Sequence, residues 1–308
     1  MNRRIVMLTA AAPALWGTTY VVTTELLPPG RPLLAATLRA LPAGVLLVAS
    51  TRRLPQGSWW WRAAVLGTLN FALFFALLFT AAYRLPGGVA ATVGAVQPLV
   101  VMALAITVLA ERATPSKVVA GLVGVAGVGL LVVDGSARLD AIGVVAALGG
   151  AVSMATGTVL VQRWGRPVGA LTFAGWQLTA GGLLLLPVTL VVEGHPSSLT
   201  GANVAGFAYL ATAGGALAYT LWFRGIERLG ARNVTFLSLL SPVVATTIGV
   251  VAGDRLTVWQ LAGAGAVVAS IFAVQRPSRP AGTTDTVTAT TPGVPALASA
   301  GTPCVAKP

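Results

Sequence analysis

Two prolines deep in apolar segments are the first candidates for function. Gln97 precedes Pro98 in the stretch GAVQPLVV, and Ser241 precedes Pro242 in LLSPVVAT. A proline inside a helix cannot donate to the carbonyl four residues earlier, so it frees one backbone acceptor and bends the helix. In apolar surroundings, neighbouring helices, hydroxyls or water must satisfy the freed carbonyl. Two such prolines beside polar residues predict a pair of kinked helices that line a central cavity.

Residue types that support catalysis or metal binding are few and isolated. The single histidine, His195, stands between apolar segments, and the single cysteine, Cys304, lies near the end of the chain. A nucleophile needs an adjacent base, and a metal ion needs several ligands in one place. The sequence contains no carboxylate pair at mid-depth of an apolar segment and no Cys/His cluster. It therefore predicts no catalytic site, no metal and no cofactor, and it argues against an enzyme.

The composition places the chain in a lipid bilayer. Hydrophobic residues make up 56% of the 308 residues, charged residues make up 9%, and the mean hydropathy is +0.83, which is outside the range of soluble domains. A membrane-spanning helix needs about 20 apolar residues. Stretches of this kind lie at about 5–26, 32–50, 63–83, 87–109, 116–133, 141–161, 169–191, 203–223, 233–252 and 258–275. We predict an all-α polytopic membrane protein with ten transmembrane helices.

The basic residues predict the orientation of the chain. With the N-terminus in the cytoplasm, 15 of the 20 Lys and Arg residues fall in inner segments, and only four fall in outer loops. This positive-inside bias predicts a multi-pass protein of the inner (plasma) membrane with both termini in the cytoplasm. Trp59, Trp60 and Trp61 beside Arg62 fit an aromatic belt at the inner interface. The net charge of +12 is thus explained by the membrane, and nucleic acid is not an expected partner.

The first apolar segment has an alternative interpretation. Residues 1–22 resemble a cleaved signal peptide, with Arg3 and Arg4 as its charged start. The apolar run is longer than a signal core, and nine further predicted spans follow. We therefore expect a retained first helix.

The sequence contains an internal repeat. At an offset of 144 residues, identical residues align in the pairs Phe79 and Phe223, Arg84 and Arg228, Leu85 and Leu229, and Pro98 and Pro242. Earlier in the chain the offset is 138, and residues 39–48 align with residues 177–186. We predict one five-helix repeat at 1–135, a second at 136–275, and a cytoplasmic tail at 276–308. The tail is rich in Pro, Thr, Ala and Gly and is expected to be disordered.

An odd number of helices in each repeat requires the two copies to be inverted in the membrane. The second copy then enters from the opposite side, and matching loops lie on opposite faces. The charges agree with this arrangement, because the inner loop 51–62 contains three arginines whereas its outer partner, 192–202, contains no Lys or Arg. Inverted repeats with a substrate site near the midplane are typical of secondary transporters.

The chain resembles the EamA-type branch of the drug/metabolite transporter superfamily over residues 5–275. The resemblance rests on Arg39 and on the stretches LWGTTYVV (15–22), VQPLVVMALAITVLAER (96–112), GLVGVAGVGLLV (121–132), SPVVATTIGVVAGDR (241–255) and GAGAVV (263–268). The pair Glu111-Arg112 ends the proline-containing block of the first copy. In the second copy the corresponding pair is Asp254-Arg255, a departure from the usual glutamate.

The stretch TTELLPPGRPLLAATLRALPAG (23–44) is similar to the PecM-like branch of that family. Members of this branch are described as probable exporters of a blue pigment, indigoidine. The resemblance implies efflux of a small metabolite, such as an amino acid, a pigment or a drug.

The resemblance also implies a cavity bounded by helices one, three, four, six, eight and nine. Besides Gln97 and Ser241, the candidate substrate-binding residues at mid-depth are Trp16, Thr19, Tyr20, Asn70, Phe74, Met154, Thr158, Tyr219 and Trp222. Two alternatives stay open. Trp16 either contacts the substrate or packs between helices, and Asn70 either contacts the substrate or forms an interhelical hydrogen bond.

Arg39 is an unusual charge, because it lies about 12 Å from the outer end of its helix by the rise per residue. A guanidinium at this depth is costly in lipid, so we expect Arg39 to face protein or water. The expected partner is Glu25, which would lock helices one and two together. Anion binding by Arg39 is the alternative.

The sequence therefore predicts a secondary transporter that exports a small metabolite by alternating access between two inverted repeats. The expected cavity is neutral and lined by aromatic residues, with Pro98 and Pro242 as flex points. The expected partners are the small-molecule substrate and the lipid bilayer, and the sequence leaves a homodimer open. A non-transporting membrane regulator or sensor is the competing hypothesis.

Overall fold

The computed structural model describes residues 3–108, 110, 115–133, 140–196, 198–229, 236–253 and 257–275. Within these ranges every regular element is a helix. The predicted pairs Glu111-Arg112 and Asp254-Arg255, together with Cys304 and the predicted tail at 276–308, lie outside the described residues.

The first predicted repeat contains eight α-helices and one π-helix in its described part. They are α1 (Arg3–Gly17), α2 (Thr19–Leu26), α3 (Pro32–Thr51), α4 (Trp59–Gly67), the π-helix π1 (Thr68–Leu73), α5 (Phe74–Arg84), α6 (Gly87–Gly94), α7 (Gln97–Val108) and α8 (Pro115–Val133). Three predicted transmembrane spans each correspond to more than one helix: α1–α2, α4–π1–α5 and α6–α7. The predicted third span therefore begins earlier than expected, at Trp59, so that the three tryptophans belong to its first turn.

The second predicted repeat contains six α-helices, one π-helix and one 3₁₀ turn in its described part. They are α9 (Ala141–Trp164), α10 (Ala170–Val192), α11 (Gly201–Ala211), the π-helix π2 (Thr212–Leu217), α12 (Ala218–Leu229), a 3₁₀ turn (Phe236–Leu239), α13 (Leu240–Val251) and α14 (Val258–Gln275). Together, α11, π2 and α12 correspond to one predicted span.

Seven helices among the described residues are long and apolar enough to cross a membrane. They are Arg3–Leu26, Pro32–Thr51, Trp59–Arg84, Gly87–Val108, Ala141–Trp164, Ala170–Val192 and Gly201–Leu229. Three shorter apolar helices, Val118–Gly127, Leu240–Val251 and Val258–Ser270, coincide with the other three predicted spans. The described part of the chain is thus all-helical, as expected of a polytopic membrane protein, with apolar side chains such as Val191 on its outside, 85% exposed.

The two singled-out prolines begin helices instead of kinking continuous ones. Pro98 is the second residue of α7, and Pro242 is the third residue of α13. Proline is well tolerated there, because the N–H groups of the first helical turn have no intrahelical acceptor. Between α6 and α7 the backbone makes a tight turn, in which the Leu99 N–H donates to the Val96 carbonyl at 2.8 Å. The predicted mid-helix kinks are therefore helix interruptions.

The two π-helices were not predicted, and they lie at equivalent places. Residues 68–73 and 212–217 are separated by 144 positions, the offset that aligns the two prolines. A π-helix inserts one extra residue into a helical turn and often marks a functional position. Here each one turns polar backbone or side-chain groups toward a neighbouring helix.

The helices pack in pairs that relate the two halves of the sequence. Helix α3 packs along α10, α8 packs along α14, and α6 packs on α13. In addition, α1 contacts α12, and α9 contacts α5. Gly44 of α3 and Gly182 of α10, which are 138 residues apart, permit the first of these contacts. A Cβ on Gly182 would lie 2.7 Å from the Leu41 Cα atom, so the backbones approach too closely for any side chain.

An ion pair joins the end of α5 to the start of α9. The Arg84 guanidinium donates to Asp140 Oδ2 at 2.7 Å, and the other carboxylate oxygen accepts from the N–H groups of Ile142 and Gly143. Asp140 is therefore the N-cap of α9 as well as an ionic partner. The hydrogen bond from Arg84 and those from the backbone hold the pKa of Asp140 below its ordinary value of 3.8.

This ion pair predicts a small stabilisation that depends on pH. Because the folded-state pKa of Asp140 is depressed, its contribution is full above the unfolded-state value and is lost as pH falls through the folded-state pKa. We expect Asp140→Asn, which keeps a capping side chain, to lower the melting temperature of the purified protein slightly at pH 7. The effect is small because solvent screens an exposed pair. Equal differences between variant and wild type at neutral pH and well below pH 3.8 would contradict this assignment.

Candidate functional site

A cavity of about 200 Å³ lies among the interrupted helices. Its lining comes from both halves of the sequence: Trp16, Thr19, Tyr20, Arg39, Phe74, Phe75, Leu78, Ala91, Gly94, Ala95, Gln97, Pro98, Met154, Tyr219, Ser238, Ser241 and Pro242. The volume is below the roughly 300–1,000 Å³ of pockets for drug-sized ligands. The cavity therefore suits a small molecule.

Most of the residues predicted for a cavity line this one. These are Trp16, Thr19, Tyr20, Phe74, Gln97, Met154, Tyr219 and Ser241, with both prolines. Asn70, Thr158, Trp222 and Glu25 are not part of the lining. The Thr158 hydroxyl donates to the Met154 carbonyl of its own helix at 2.8 Å.

Aromatic rings form one wall of the cavity. The Trp16 ring lies 5.3 Å from the Tyr219 ring and 5.3 Å from the Trp222 ring, centroid to centroid. Trp222 thus supports the wall from behind. The indole Nε1–H of Trp16 donates to the Gly214 carbonyl of π2 at 3.1 Å. Trp16 therefore packs between helices and also lines the cavity.

The helix interruptions supply the polar part of the wall. The start of α7 contributes Gln97, and the start of α13 contributes Ser241. The first span is also interrupted at Thr18, whose hydroxyl bonds the Tyr209 hydroxyl at 2.7 Å. At this interruption Gly17 lies against α13, and a Cβ there would lie 2.6 Å from the Ser241 carbonyl oxygen. Three interrupted spans therefore meet around one space.

Arg39 reaches the cavity and does not pair with Glu25. Its side chain is 3% exposed, and its Nη1 donates to the Thr19 hydroxyl at 2.9 Å. Its Nη2 donates to the Gly214 carbonyl at 3.4 Å, and its Cζ lies 4.8 Å from the Phe75 ring centroid. Glu25 is exposed. The expected link between the first two spans exists, but a hydroxyl replaces the carboxylate as the partner of Arg39.

Asn70 forms the interhelical hydrogen bond that was the alternative to substrate binding. Its Nδ2 donates to Gln177 Oε1 at 2.8 Å, and both side chains are buried. Gly157 of α9 makes room for this amide, because a Cβ there would overlap Asn70. Asn70 therefore joins π1 to α9 and α10.

Removal of only one of these two amides is predicted to lower the free energy of unfolding. We expect Asn70→Leu to lower the free energy of unfolding by ~1–3 kcal/mol, because it leaves the buried Gln177 Oε1 without a donor. The double variant Asn70→Leu/Gln177→Met should recover most of that loss, since it removes both partners. Chemical unfolding in detergent measures each value. If Asn70→Leu abolished transport with unchanged stability, Asn70 would contact the substrate, contrary to its position.

Several lining residues were missed because their types carry no signal in an apolar helix. Phe75, Leu78, Ala91 and Gly94 are common in membrane-spanning segments, and only the packing turns them toward the cavity. The small residues Ala91, Gly94 and Ala95 share one face at helical spacing. That spacing is the one sequence pattern that could have indicated them.

A second, wider depression lies near the ends of α3 and α10 and has a structural explanation. It is bordered by Pro29, Arg31 and Glu193, among others. The Glu193 carboxylate accepts from the N–H groups of Leu33 and Leu34 at 2.6 and 2.9 Å. It therefore caps the first turn of α3. Among the residues that the structure describes, no group of three His, Cys, Asp or Glu side chains is placed to hold a metal ion.

Comparison with known proteins agrees with this architecture. A model of the EamA-like transporter family matches residues 3–133 and again residues 141–275. The chain is 48% identical over 240 residues to protein PecM of Dickeya dadantii (strain 3937), covering 77% of this chain and 80% of that protein. It is 28% identical over 268 residues to YedA of Escherichia coli (strain K12), named an uncharacterized inner membrane transporter, covering 84% and 87%.

A solved structure shares the fold. This crystal structure of a protein superimposes with a TM-score of 0.61 at 22% sequence identity, covering 89% of this chain and 96% of that chain. The match to the family model extends over most of the described helices. The chain therefore belongs to the EamA-like transporter family, as a multi-pass membrane protein whose cavity lies where its interrupted helices meet.

Proposed function

We propose that the protein is a secondary transporter that exports a small metabolite by alternating access between two inverted five-span repeats. The observation that carries this proposal is the cavity itself, which is lined from both halves of the chain at the point where three spans are interrupted. A substrate site at such a place is typical of transporters with broken helices and internal repeats.

Three independent features support the repeat. The family model matches twice, at 3–133 and 141–275. The two π-helices lie at the same offset of 144 residues as Pro98 and Pro242. The contacts between helices are also symmetric. Helix α1 contacts α12, and α9, the counterpart of α1, contacts α5, the counterpart of α12. A two-fold relation between the halves explains all three features.

The interrupted helices suggest how the cavity opens alternately. Helix interruptions leave few backbone hydrogen bonds to break when the two parts of a span change their angle. Small rotations at the turn before Pro98 and at the 3₁₀ turn before Pro242 would then expose the cavity to one side or the other. The positive-inside distribution supports cytoplasmic termini, and the resemblance to the PecM-like branch favours export.

The inverted topology is tested by labelling from one side of the membrane. In a Cys304→Ser background, Gln56→Cys and Ser198→Cys introduce single cysteines at exposed positions of matching loops. We expect an impermeant maleimide added to intact cells to label residue 198 and to leave residue 56 unlabelled until the cells are permeabilised. Labelling of both residues from the same side would refute the inverted arrangement.

Transport is tested with the purified protein in proteoliposomes loaded with a panel of labelled amino acids, aromatic acids and neutral aromatic metabolites. We expect saturable, ATP-independent flux for some members and counterflow when unlabelled compound is present on the opposite side. Export from intact cells that express the protein gives the direction. A membrane regulator predicts no protein-dependent flux in either assay.

A further inference from the structure

The cavity contains a buried cation whose hydrogen bonding is incomplete. Arg39 is 3% exposed, and its Nε has no hydrogen-bond partner. Its two hydrogen bonds go to neutral oxygens, the Thr19 hydroxyl at 2.9 Å and the Gly214 carbonyl at the long distance of 3.4 Å. A guanidinium taken out of water needs opposite charge and full hydrogen bonding to offset the loss of hydration.

The described part of the chain offers no carboxylate to Arg39. Its four carboxylates are engaged elsewhere or exposed: Glu25 and Glu227 are exposed, Asp140 pairs with Arg84, and Glu193 caps α3. The face of the Phe75 ring, 4.8 Å from the Arg39 Cζ, compensates only part of the charge. The Arg39 guanidinium therefore lines the cavity, and none of the described residues provides it with an anionic partner.

The second half of the chain contains an uncharged version of this contact. An offset of 138 residues pairs Thr19 with Gly157 and Arg39 with Gln177. An offset of 144 residues pairs Gly214 with Asn70, which lies in the first half. There, a neutral amide bonds a neutral amide at 2.8 Å, and the Asn70 side chain occupies the space beside Gly157. A helix link at this position needs no charge.

In the contact of Thr19, Arg39 and Gly214, the linking side chain is charged. Gly214 brings no side chain, and its carbonyl oxygen is shared between Trp16 and Arg39. The Arg39 side chain lines the cavity, whereas neither Gln177 nor Asn70 does. The two versions of the contact thus differ by Arg39 in place of Gln177, by Thr19 in place of Gly157 and by Gly214 in place of Asn70, and the cation is the member that lines the cavity.

We propose that Arg39 binds the carboxylate of the transported molecule, so that the cargo is a small monocarboxylate or zwitterion with a flat apolar or aromatic body. This inference rests on the transport function proposed above and specifies its substrate class. The carboxylate completes the hydrogen bonding of Arg39 and supplies its counter-charge. The rings of Trp16 and Tyr219 accept the apolar body, and the volume of about 200 Å³ limits its size.

Matched probes test the charge requirement on the unaltered protein. Benzoate and benzamide have the same aromatic body and differ in charge. We expect benzoate to bind the purified full-length chain on the order of tenfold or more tightly than benzamide in calorimetric titration, and to raise the melting temperature more. Equal effects of both probes, no binding of benzoate at millimolar concentration, or an equal effect of sodium chloride would overturn the proposal.

Substitution of Arg39 tests the residue. In Arg39→Gln, which introduces the side chain of the equivalent position 177, we expect the preference for benzoate to disappear while benzamide binding persists. Arg39→Lys keeps the charge and should retain part of the preference. Arg84→Gln is the matched control, because it removes an arginine outside the cavity and should leave the preference intact. A benzoate preference that survives in Arg39→Gln would refute the role of Arg39.

The same variants separate this proposal from the transport function. Protein-dependent flux of benzamide without any preference for benzoate in binding would retain transport and reject the anion site. Binding of benzoate that depends on Arg39, without flux of any probe or metabolite, would retain the anion site and reject transport. The probe comparison on the wild-type protein needs no substitution, so a variant that fails to fold does not prevent the test.

Discussion

Gly94→Phe is expected to reduce transport by at least about tenfold, corresponding to ~1.4 kcal/mol or more in the transport barrier, without lowering the amount of folded protein. Gly94 lines the cavity at the end of α6, and a Cβ atom built there meets nothing within 4 Å. A side chain at this position therefore starts in open space, and we expect the benzyl group to project into the cavity. It fills much of a volume of about 200 Å³ and leaves little room for a substrate.

The control for this prediction is Gly94→Ala, which adds one methyl group to the same open space. Alanine also raises the helix propensity by ~1 kcal/mol relative to glycine. We expect this variant to fold well and to retain most of the flux in proteoliposomes. Full transport by Gly94→Phe would show that the substrate does not pass through this cavity, and an equal loss in both variants would show that Gly94 acts through its backbone.

A large loss of stability is expected where α3 packs along α10. Gly44→Ala places a methyl group against the backbone of Leu178 and Thr179, and Gly182→Ala places one against the backbone of Leu41. Helix backbone cannot move aside as a flexible side chain can, so the two helices must separate. Each substitution should lower the free energy of unfolding by ~1–3 kcal/mol.

Gly129→Ala is the matched control for these two substitutions. Gly129 also lies inside a helix, α8, but a methyl group there meets nothing within 4 Å. We expect an unchanged or slightly raised stability in this variant, and a marked fall in the other two, from chemical and thermal unfolding in detergent. Tolerance of Gly44→Ala and Gly182→Ala would mean that α3 and α10 are not in backbone contact.

The general architecture was accessible from the sequence because it depends on local composition. Apolar stretches of about 20 residues predict membrane helices wherever they occur, and the described helices follow the predicted spans closely. The offset of 144 residues also identified Pro98 and Pro242 as a matched pair, and both line the cavity. Aromatic and polar residues such as Trp16, Tyr20 and Tyr219 could also be identified from local composition, because they differ from the apolar residues around them.

The hydrogen-bond partners were not accessible in this way. Glu25 was the natural partner to expect for Arg39, because opposite charges attract and both lie in the first two spans. The structure instead gives Arg39 the Thr19 hydroxyl and a carbonyl of π2, 175 positions along the chain. Asn70 was similarly a candidate for substrate binding, and its partner, Gln177, is 107 positions away.

The sequence by itself thus determined that the chain is a helical membrane protein, that its spans fall into two related sets, and which residue types interrupt the apolar segments. Only the tertiary structure decided where the helices break, which of the polar groups satisfy one another, and that Arg39 lies in the cavity without a carboxylate among the described residues. The physical reason is that hydrophobicity acts through each segment's own composition, whereas a buried polar group is satisfied by whichever helix the fold brings beside it.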